Sequence, residues 1–196
     1  MGTESHAYAD RLVALESVWW KRLLPVQAPY EWSVRRRRLG RTLDVGCGVG
    51  RNLASLGSGS VGVDHNKTAV SVARSRGRQA LTVDEFLPSE HATPGAFDGM
   101  LLAHVVEHMS PAAARTLLQV YLPYLRPGGK VLFICPQERG YASDATHETF
   151  VTGPDLVHLA RDVGLRADGW TSFPLPRFLG GAFLYNEFHV LATKRG

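Results

Sequence analysis

Cysteine is scarce in this chain: Cys47 and Cys135 are the only two in 196 residues. Two thiols do not make a disulfide framework, and there is no CxxC pair for redox or zinc chemistry. A GxSxG nucleophile elbow is also missing. No apolar run reaches membrane-spanning length, and the opening MGTESHAYADR has no signal-peptide core. A cytoplasmic protein with both thiols free is therefore expected. Charge of one sign is not in large excess either. Lys and Arg number 22 against 18 Asp and Glu, for a net +4. Much of the surplus lies in Arg35 to Arg38 plus Arg41, which bounds the partner only weakly. The length suits one domain with a full core.

What is present centres on Arg41 to Gly50, RTLDVGCGVG. Leu43, Asp44 and Val45 end a short apolar strand. Gly46, Gly48 and Gly50 follow at every second position, and Arg51 opens a helical pattern. Such glycines let the chain turn tightly and let a ligand approach the main chain. A helix start behind them leaves outward-pointing amides that can hold a carboxylate or phosphate. The spacing is DxGxGxG, not the dinucleotide GxGxxG. An anion at Asp44 would repel a pyrophosphate but suit a ligand carrying an amino or sulfonium cation. A second acid, Asp64, ends the next apolar run about 20 residues on, where it can take a ribose diol.

The rest of the chain alternates strands and helices. Residues 6 to 24 read as an amphipathic helix stopped by Pro25 and Pro29. Strands are expected at Thr42–Val45, Ser60–Val63, Ala80–Val83, Phe97–Ala103 and Lys130–Cys135. Helices are expected at about Arg51–Leu56, at Lys67–Arg76 behind an Asn66 cap, from Pro111 behind a Ser110 cap, and at about Pro154–Val163. Leu165–Thr171 and Glu187–Thr193 read as the last two strands. The pattern predicts an α/β fold with a mostly parallel, doubly wound sheet. Ligands bind such sheets at the carboxyl ends of the strands, where Asp44, Asp64, Asp84 and His104 all fall.

LDVGCGVG, GVDHN, VDEF, FDGMLLAHVVEHM and LRPGGKVLFICP, in this order, resemble the motifs of the class I S-adenosylmethionine (SAM) methyltransferases. The resemblance runs from about Arg41 to the C-terminus. It implies SAM as cofactor and a seven-stranded Rossmann-like sheet with an antiparallel C-terminal hairpin. It also implies an N-terminal helical extension, residues 1–40, that either lids the cofactor or packs on the sheet edge, and a SAM-binding domain of residues 41–196 within one structural unit. By the same resemblance Asp44, Gly46 and Gly48 surround the methionine moiety, and Asp64 holds the ribose with His65 beside it. Asp84, Glu85 and Phe86 frame adenine, and Ala103 and His104 lie near the methyl group.

Methyl transfer from a sulfonium needs alignment and water exclusion, and a general base only if the acceptor arrives protonated. His104 and, in the polar loop Pro136–Thr152, His147 are the candidate catalytic groups. Tyr141, Asp144 and Glu148 stand close to His147 in sequence. A structural histidine is the competing reading at His104, as is ordinary turn chemistry for the loop. His104 to His108 also spells HxxEH, the letters of an inverted zinc-protease motif. The stretch follows a strand, Pro111 restarts a helix behind it, and no third ligand is evident, so no metal is expected. Tyr30, Trp32 and Arg35 lie just before the cofactor strand and within reach of the ligand's carboxylate. A small, partly apolar acceptor is expected, with the apolar connection Ser172–Asn186 as a possible wall. Two alternatives stay open. One is an RNA methyltransferase using Arg35–Arg38; the other is a non-catalytic SAM-binding partner subunit. Nucleic acid is otherwise unlikely on this reading, because the Asn/Asp-Pro-Pro-Tyr element is missing and Cys135-Pro136 reverses the cytosine-C5 order.

Overall fold

The computed structural model describes residues 27–196. The amphipathic helix expected over residues 6 to 24 lies outside them. The first element is α1 (Ala28–Arg35), followed by β1 (Thr42–Val45), β2 (Val61–Asp64), α2 (Lys67–Ser75) and β3 (Ala80–Thr82). Then come α3 (Val83–Phe86), β4 (Phe97–Ala103), α4 (Pro111–Tyr121) and β5 (Leu125–Pro136). The last elements are α5 (Glu138–Ala142), α6 (Gly153–Asp162), β6 (Leu165–Ala167), β7 (Thr171–Phe173) and β8 (Glu187–Lys194).

The strands form one sheet in the order β3-β2-β1-β4-β5-β8-β6, with β7 also on β8. β1 pairs in parallel with β2 on one side and β4 on the other, through Leu43↔Val61 and Leu43↔Met100. Chain order therefore reverses between β1 and β4, and a crevice opens beyond their carboxyl ends. β8 runs antiparallel to β5, β6 and β7. β6 and β7 occupy two halves of one edge: Leu165 pairs with Lys194, and Phe173 with Glu187. The sequence reading has a single strand here. The turn-forming Asp168-Gly169 pair breaks it in two, which turns seven sheet positions into eight strands.

Alternate residues of β4 feed opposite faces, as strand geometry requires. Met100 and Leu102 join Leu118, Tyr121, Leu156 and Ala160 of α4 and α6 in the main core. Leu101 packs instead with Val34, Leu39, Leu132 and Ile134, so the end of α1 and the segment after it cover the other face. Close approach matters at Gly99, where an added Cβ would stand 2.5 Å from the Leu39 carbonyl oxygen.

Local chemistry explains the element ends. Asn66 accepts from the Ala69 amide at 3.0 Å and starts α2. Ser110 accepts from Ala113 N at 3.2 Å and starts α4 with Pro111 in its first turn. Thr82 and Glu85 form a capping box, which ends β3 one residue earlier than its apolar pattern suggests and turns VDEF into a helical turn. The helix expected over Arg51–Leu56 is only a 3₁₀ turn, Asn52–Ala54. Asn and Ser are weak helix formers, and Gly57 closes the stretch.

Candidate active site

A cleft of roughly 750 Å³, counting its open mouth, lies beyond β1, β2 and β4. Val45, Gly46 and Gly48 line it from the glycine loop, Val63, Asp64 and His65 from the end of β2, and Val83 from α3. His104, Val105, His108 and Met109 close it from the turn after β4, and Leu117 and Tyr121 from α4. A hollow lined by Arg166, Thr193, Lys194, Arg195 and Gly196 lies at the opposite end of the sheet.

Gly46 adopts φ 75°, a left-handed conformation that glycine takes without strain. An added Cβ there would sit 2.5 Å from Val105 Cγ2. The loop is fastened by Asp64. Its Oδ2 accepts from Gly48 N at 2.8 Å and its Oδ1 from Asn66 N at 2.8 Å. Each oxygen retains a lone pair that a diol can use. His65 stands at the mouth with its Nδ1 3.5 Å from Asp64 Oδ1.

Asp44 is almost wholly enclosed, and among the described residues neither carboxylate oxygen has a hydrogen-bond partner. Burial, with the Asp64 charge adding to it, pushes its pKa up to about 7. A buried acid without a partner is costly unless a cation or donor meets it. Cys47, beneath the same loop, has its thiol pushed up by burial and by the charges of Asp44 and Asp64. Burial and Glu107 raise Cys135 likewise, so neither cysteine is a thiolate nucleophile.

Two of the three residues assigned to adenine, Glu85 and Phe86, are engaged elsewhere. Phe86 is fully buried in the core, its ring centroid 5.1 Å from that of Tyr124 in an edge-on contact and 5.8 Å from that of Tyr121. The Glu85 carboxylate caps α3 at Thr82 N (2.8 Å) and pairs with Arg74 (2.5 Å). Those contacts, the Arg74 hydrogen bond foremost, lower its pKa to about 2. Asp84 is exposed, and Val83 is the α3 residue in the cleft wall. The capping box explains the difference, because it rotates the chain as soon as β3 ends.

His104 occupies φ 58°, and its half-exposed ring bridges two carboxylates. Nε2 is 2.9 Å from Glu187 Oε1, and Nδ1 is 3.3 Å from Glu107 Oε1. Burial works against the charged ring, but hydrogen bonds and charge from Glu107 and Glu187 outweigh it and raise the pKa to about 10. At neutral pH His104 is thus a held imidazolium, a donor and not a base. Glu187 in turn reaches His189 Nε2 at 2.8 Å, and burial of its carboxylate is overridden by the two histidines, which bring it to about 2. Nothing in the sequence pattern announces Glu187, which lies 83 residues from His104 and meets it only because β8 inserts beside β5.

His147 and His108 come together from the loop and the turn, ring centroids 4.7 Å apart. Tyr141 stacks on His147 at 5.2 Å. The Asp144 carbonyl accepts from His147 N at 3.3 Å, while its Oδ1 accepts from Thr146 N and Oγ1. Glu148 is exposed. Tyr30 donates to the Tyr185 carbonyl, Arg35 pairs with Glu31, and exposed Trp32 lies under Arg36, so none of the three lines the cleft. The HxxEH letters do not bring His104 and His108 to one centre, because Val106–His108 is a 3₁₀ turn and His104 swings to Glu187.

The family model of the methyltransferase domain matches residues 43–133, the segment that builds most of this cleft. No curated protein matches the chain. Solved structures share its fold. A SAM-dependent methyltransferase from Archaeoglobus fulgidus superposes with TM-score 0.61 at 18% identity, covering 84% of this chain and 94% of the other. A methyltransferase from Haloferax volcanii, determined in complex with the Trm112 activator, has TM-score 0.62, 15% identity and coverages of 88% and 93%. The Burkholderia thailandensis 1,6-didemethyltoxoflavin-N1-methyltransferase, with that compound and S-adenosylhomocysteine (SAH) bound, has TM-score 0.58, 20% identity and coverages of 97% and 89%.

Proposed function

We infer that this chain, a class I SAM-dependent methyltransferase by its domain over residues 43–133, transfers a methyl group to a small, partly apolar acceptor. The observation that carries the reading is Asp44: a buried carboxylate with both oxygens unpartnered among the described residues, directly preceding the cleft residues Val45 and Gly46. A cationic amino group of the cofactor satisfies it, directly or through a water. Asp64 holds the ribose hydroxyls with the lone pairs left by its two amide contacts. Val83 is the apolar surface offered to the adenine by α3, and Asp84 stands outside it on the rim. When bound, SAM supplies a methyl already activated by the sulfonium.

His104 and Ala103 end β4 beside the loop, and the Glu107–Glu187 clamp fixes the imidazolium in place. Its part is to orient the acceptor and exclude water, and it suits an acceptor whose nucleophilic atom arrives without a proton to lose. The acceptor side is supported by Met109, Leu117 and Tyr121 in the wall. The segment before Glu187 exposes Phe178, Leu179, Leu184 and Tyr185. Among the described residues no helix is long and apolar enough to cross a membrane. The arginine run offers less to RNA than its letters imply. Arg35 is spent on Glu31, Arg36 lies over Trp32 at 4.7 Å, and Arg37 is half-buried.

Turnover of labelled SAM over a panel of phenols, amines, heterocycles and RNA transcripts tests the reading. Acceptor-dependent SAH formation with a small molecule is expected. Label passing only to RNA, with a steep salt dependence lost in Arg35–Arg38→Ala, would replace this acceptor class. SAH binding without turnover of any acceptor would point to a partner subunit.

Asp44 adds a pH prediction. Its raised pKa means the free site holds a proton below about pH 7. Binding a cation requires that proton to leave, so SAH affinity should rise with pH up to about 7 and then level off. The loss below that point approaches tenfold per pH unit. Calorimetry in buffers of different ionisation enthalpy should show proton release at pH 6 and little at pH 8. An affinity flat across that range would remove Asp44 from the cation site.

A further inference from the structure

We propose that Glu107, His108 and His147 form a binding site for one divalent transition-metal ion on the acceptor side of the cleft. A carboxylate oxygen and one nitrogen from each ring lie within 4.8 Å of one another. Two imidazoles and one carboxylate are a common donor set for zinc and for iron-type ions, leaving positions open for an exogenous ligand.

Three observations beyond proximity support a built site. First, both rings are fastened through Nδ1. His108 Nδ1 is 3.1 Å from the Thr146 carbonyl, and His147 Nδ1 is 2.7 Å from the Tyr141 carbonyl. A carbonyl only accepts, so Nδ1 carries the hydrogen in both rings and Nε2 keeps its lone pair. That is how protein frameworks set histidines toward a metal. Second, Glu107 is wholly buried, and among the described residues its Oε1 has no partner in hydrogen-bonding geometry. Its other oxygen accepts from the weak Cys135 thiol donor at 3.4 Å. A buried carboxylate favours positive charge around it. His104 answers part of that charge from one side, at 3.3 Å.

Third, the two halves of the site are fastened together although they are about 40 residues apart in sequence. The Glu107 carbonyl accepts from Glu148 N at 2.8 Å and Thr149 N at 3.0 Å. Thr149 Oγ1 donates to the Met109 carbonyl at 3.0 Å. Thr146 is tied to Asp144 by two hydrogen bonds, and Tyr141 stacks on His147. The loop is thereby held in the place where its histidine faces the turn. His108 also lines the cleft, so an ion here would present its open positions to the acceptor. Its natural ligand is then an oxygen or nitrogen donor of that acceptor. Only this last step rests on the methyl-transfer reading; the ion site does not.

The test uses untagged protein and Co²⁺ as probe, followed by ligand-field absorption, with Zn²⁺ as competitor. One equivalent of Co²⁺, displaced by Zn²⁺, is expected for the wild type. His147→Ala and Glu107→Gln should each weaken binding at least tenfold. His147→Ala changes only a half-buried loop residue and guards against a folding failure in Glu107→Gln. SAH titration of His147→Ala runs in parallel and should match wild type. No stoichiometric Co²⁺ or Zn²⁺ uptake by the wild type, or equal uptake by both variants, overturns the site. Loss of SAH binding in the wild type with metal uptake intact overturns the methyltransferase reading instead.

Discussion

Asp64→Ala is expected to weaken SAH binding about 100-fold. The carboxylate has two tasks. It fastens the glycine loop to the end of β2 through Gly48 N and Asn66 N, both at 2.8 Å, and it offers its remaining lone pairs to the ribose. Hydrogen bonds to a charged group contribute about 1.5–3 kcal/mol each. Losing a pair of them at the low end of that range is about 3 kcal/mol, and about 1.4 kcal/mol is tenfold in affinity. Part of the loss is direct, and part comes from a glycine loop no longer held in place. Calorimetric titration of SAH into folded wild type and variant measures it. A loss under about threefold would mean that Asp64 only shapes the loop and that the ribose is held elsewhere.

Phe86→Ala separates core from site. The side chain is fully buried, with its ring against Tyr121 and Tyr124. Removing a buried Phe costs about 3–5 kcal/mol through lost transfer energy and the cavity left behind. For a domain whose whole stability is about 5–15 kcal/mol, that is a large share. Urea unfolding should show it as a lower midpoint with an unchanged slope. SAH affinity of the folded variant, measured at low temperature, should stay within about threefold of wild type. The opposite result, normal stability with binding lost, would return Phe86 to the adenine wall named by its motif.

These two residues mark where the sequence was informative and where it was not. Asp64 is legible because a strand end, a glycine loop and an acid at fixed separation constrain one another through the αβ unit. Phe86 sits in an equally good motif, but a motif fixes neighbourhood and not direction. The Thr82–Glu85 capping box turns the backbone, so Val83 faces the cleft and Phe86 the core. His104 is a similar case. Its place after β4 was legible, but its charge state was not, because Glu187 arrives from the other end of the chain.

By itself, the sequence determined the alternation of strands and helices, the caps at Asn66 and Ser110, the crevice-side acids Asp44 and Asp64, and the cofactor class these imply. All of these rest on short-range periodicity and on spacing within single αβ units, which local chemistry enforces. Tertiary structure alone decided the rest. The antiparallel insertion of β8 beside β5 brings Glu187 and His189 to His104. The docking of the loop on the β4 turn brings His147 to Glu107 and His108. Enclosure leaves Asp44 without a partner among the described residues. Each of these depends on contacts between distant segments, and their burial and charge exist only once the chain has closed on itself.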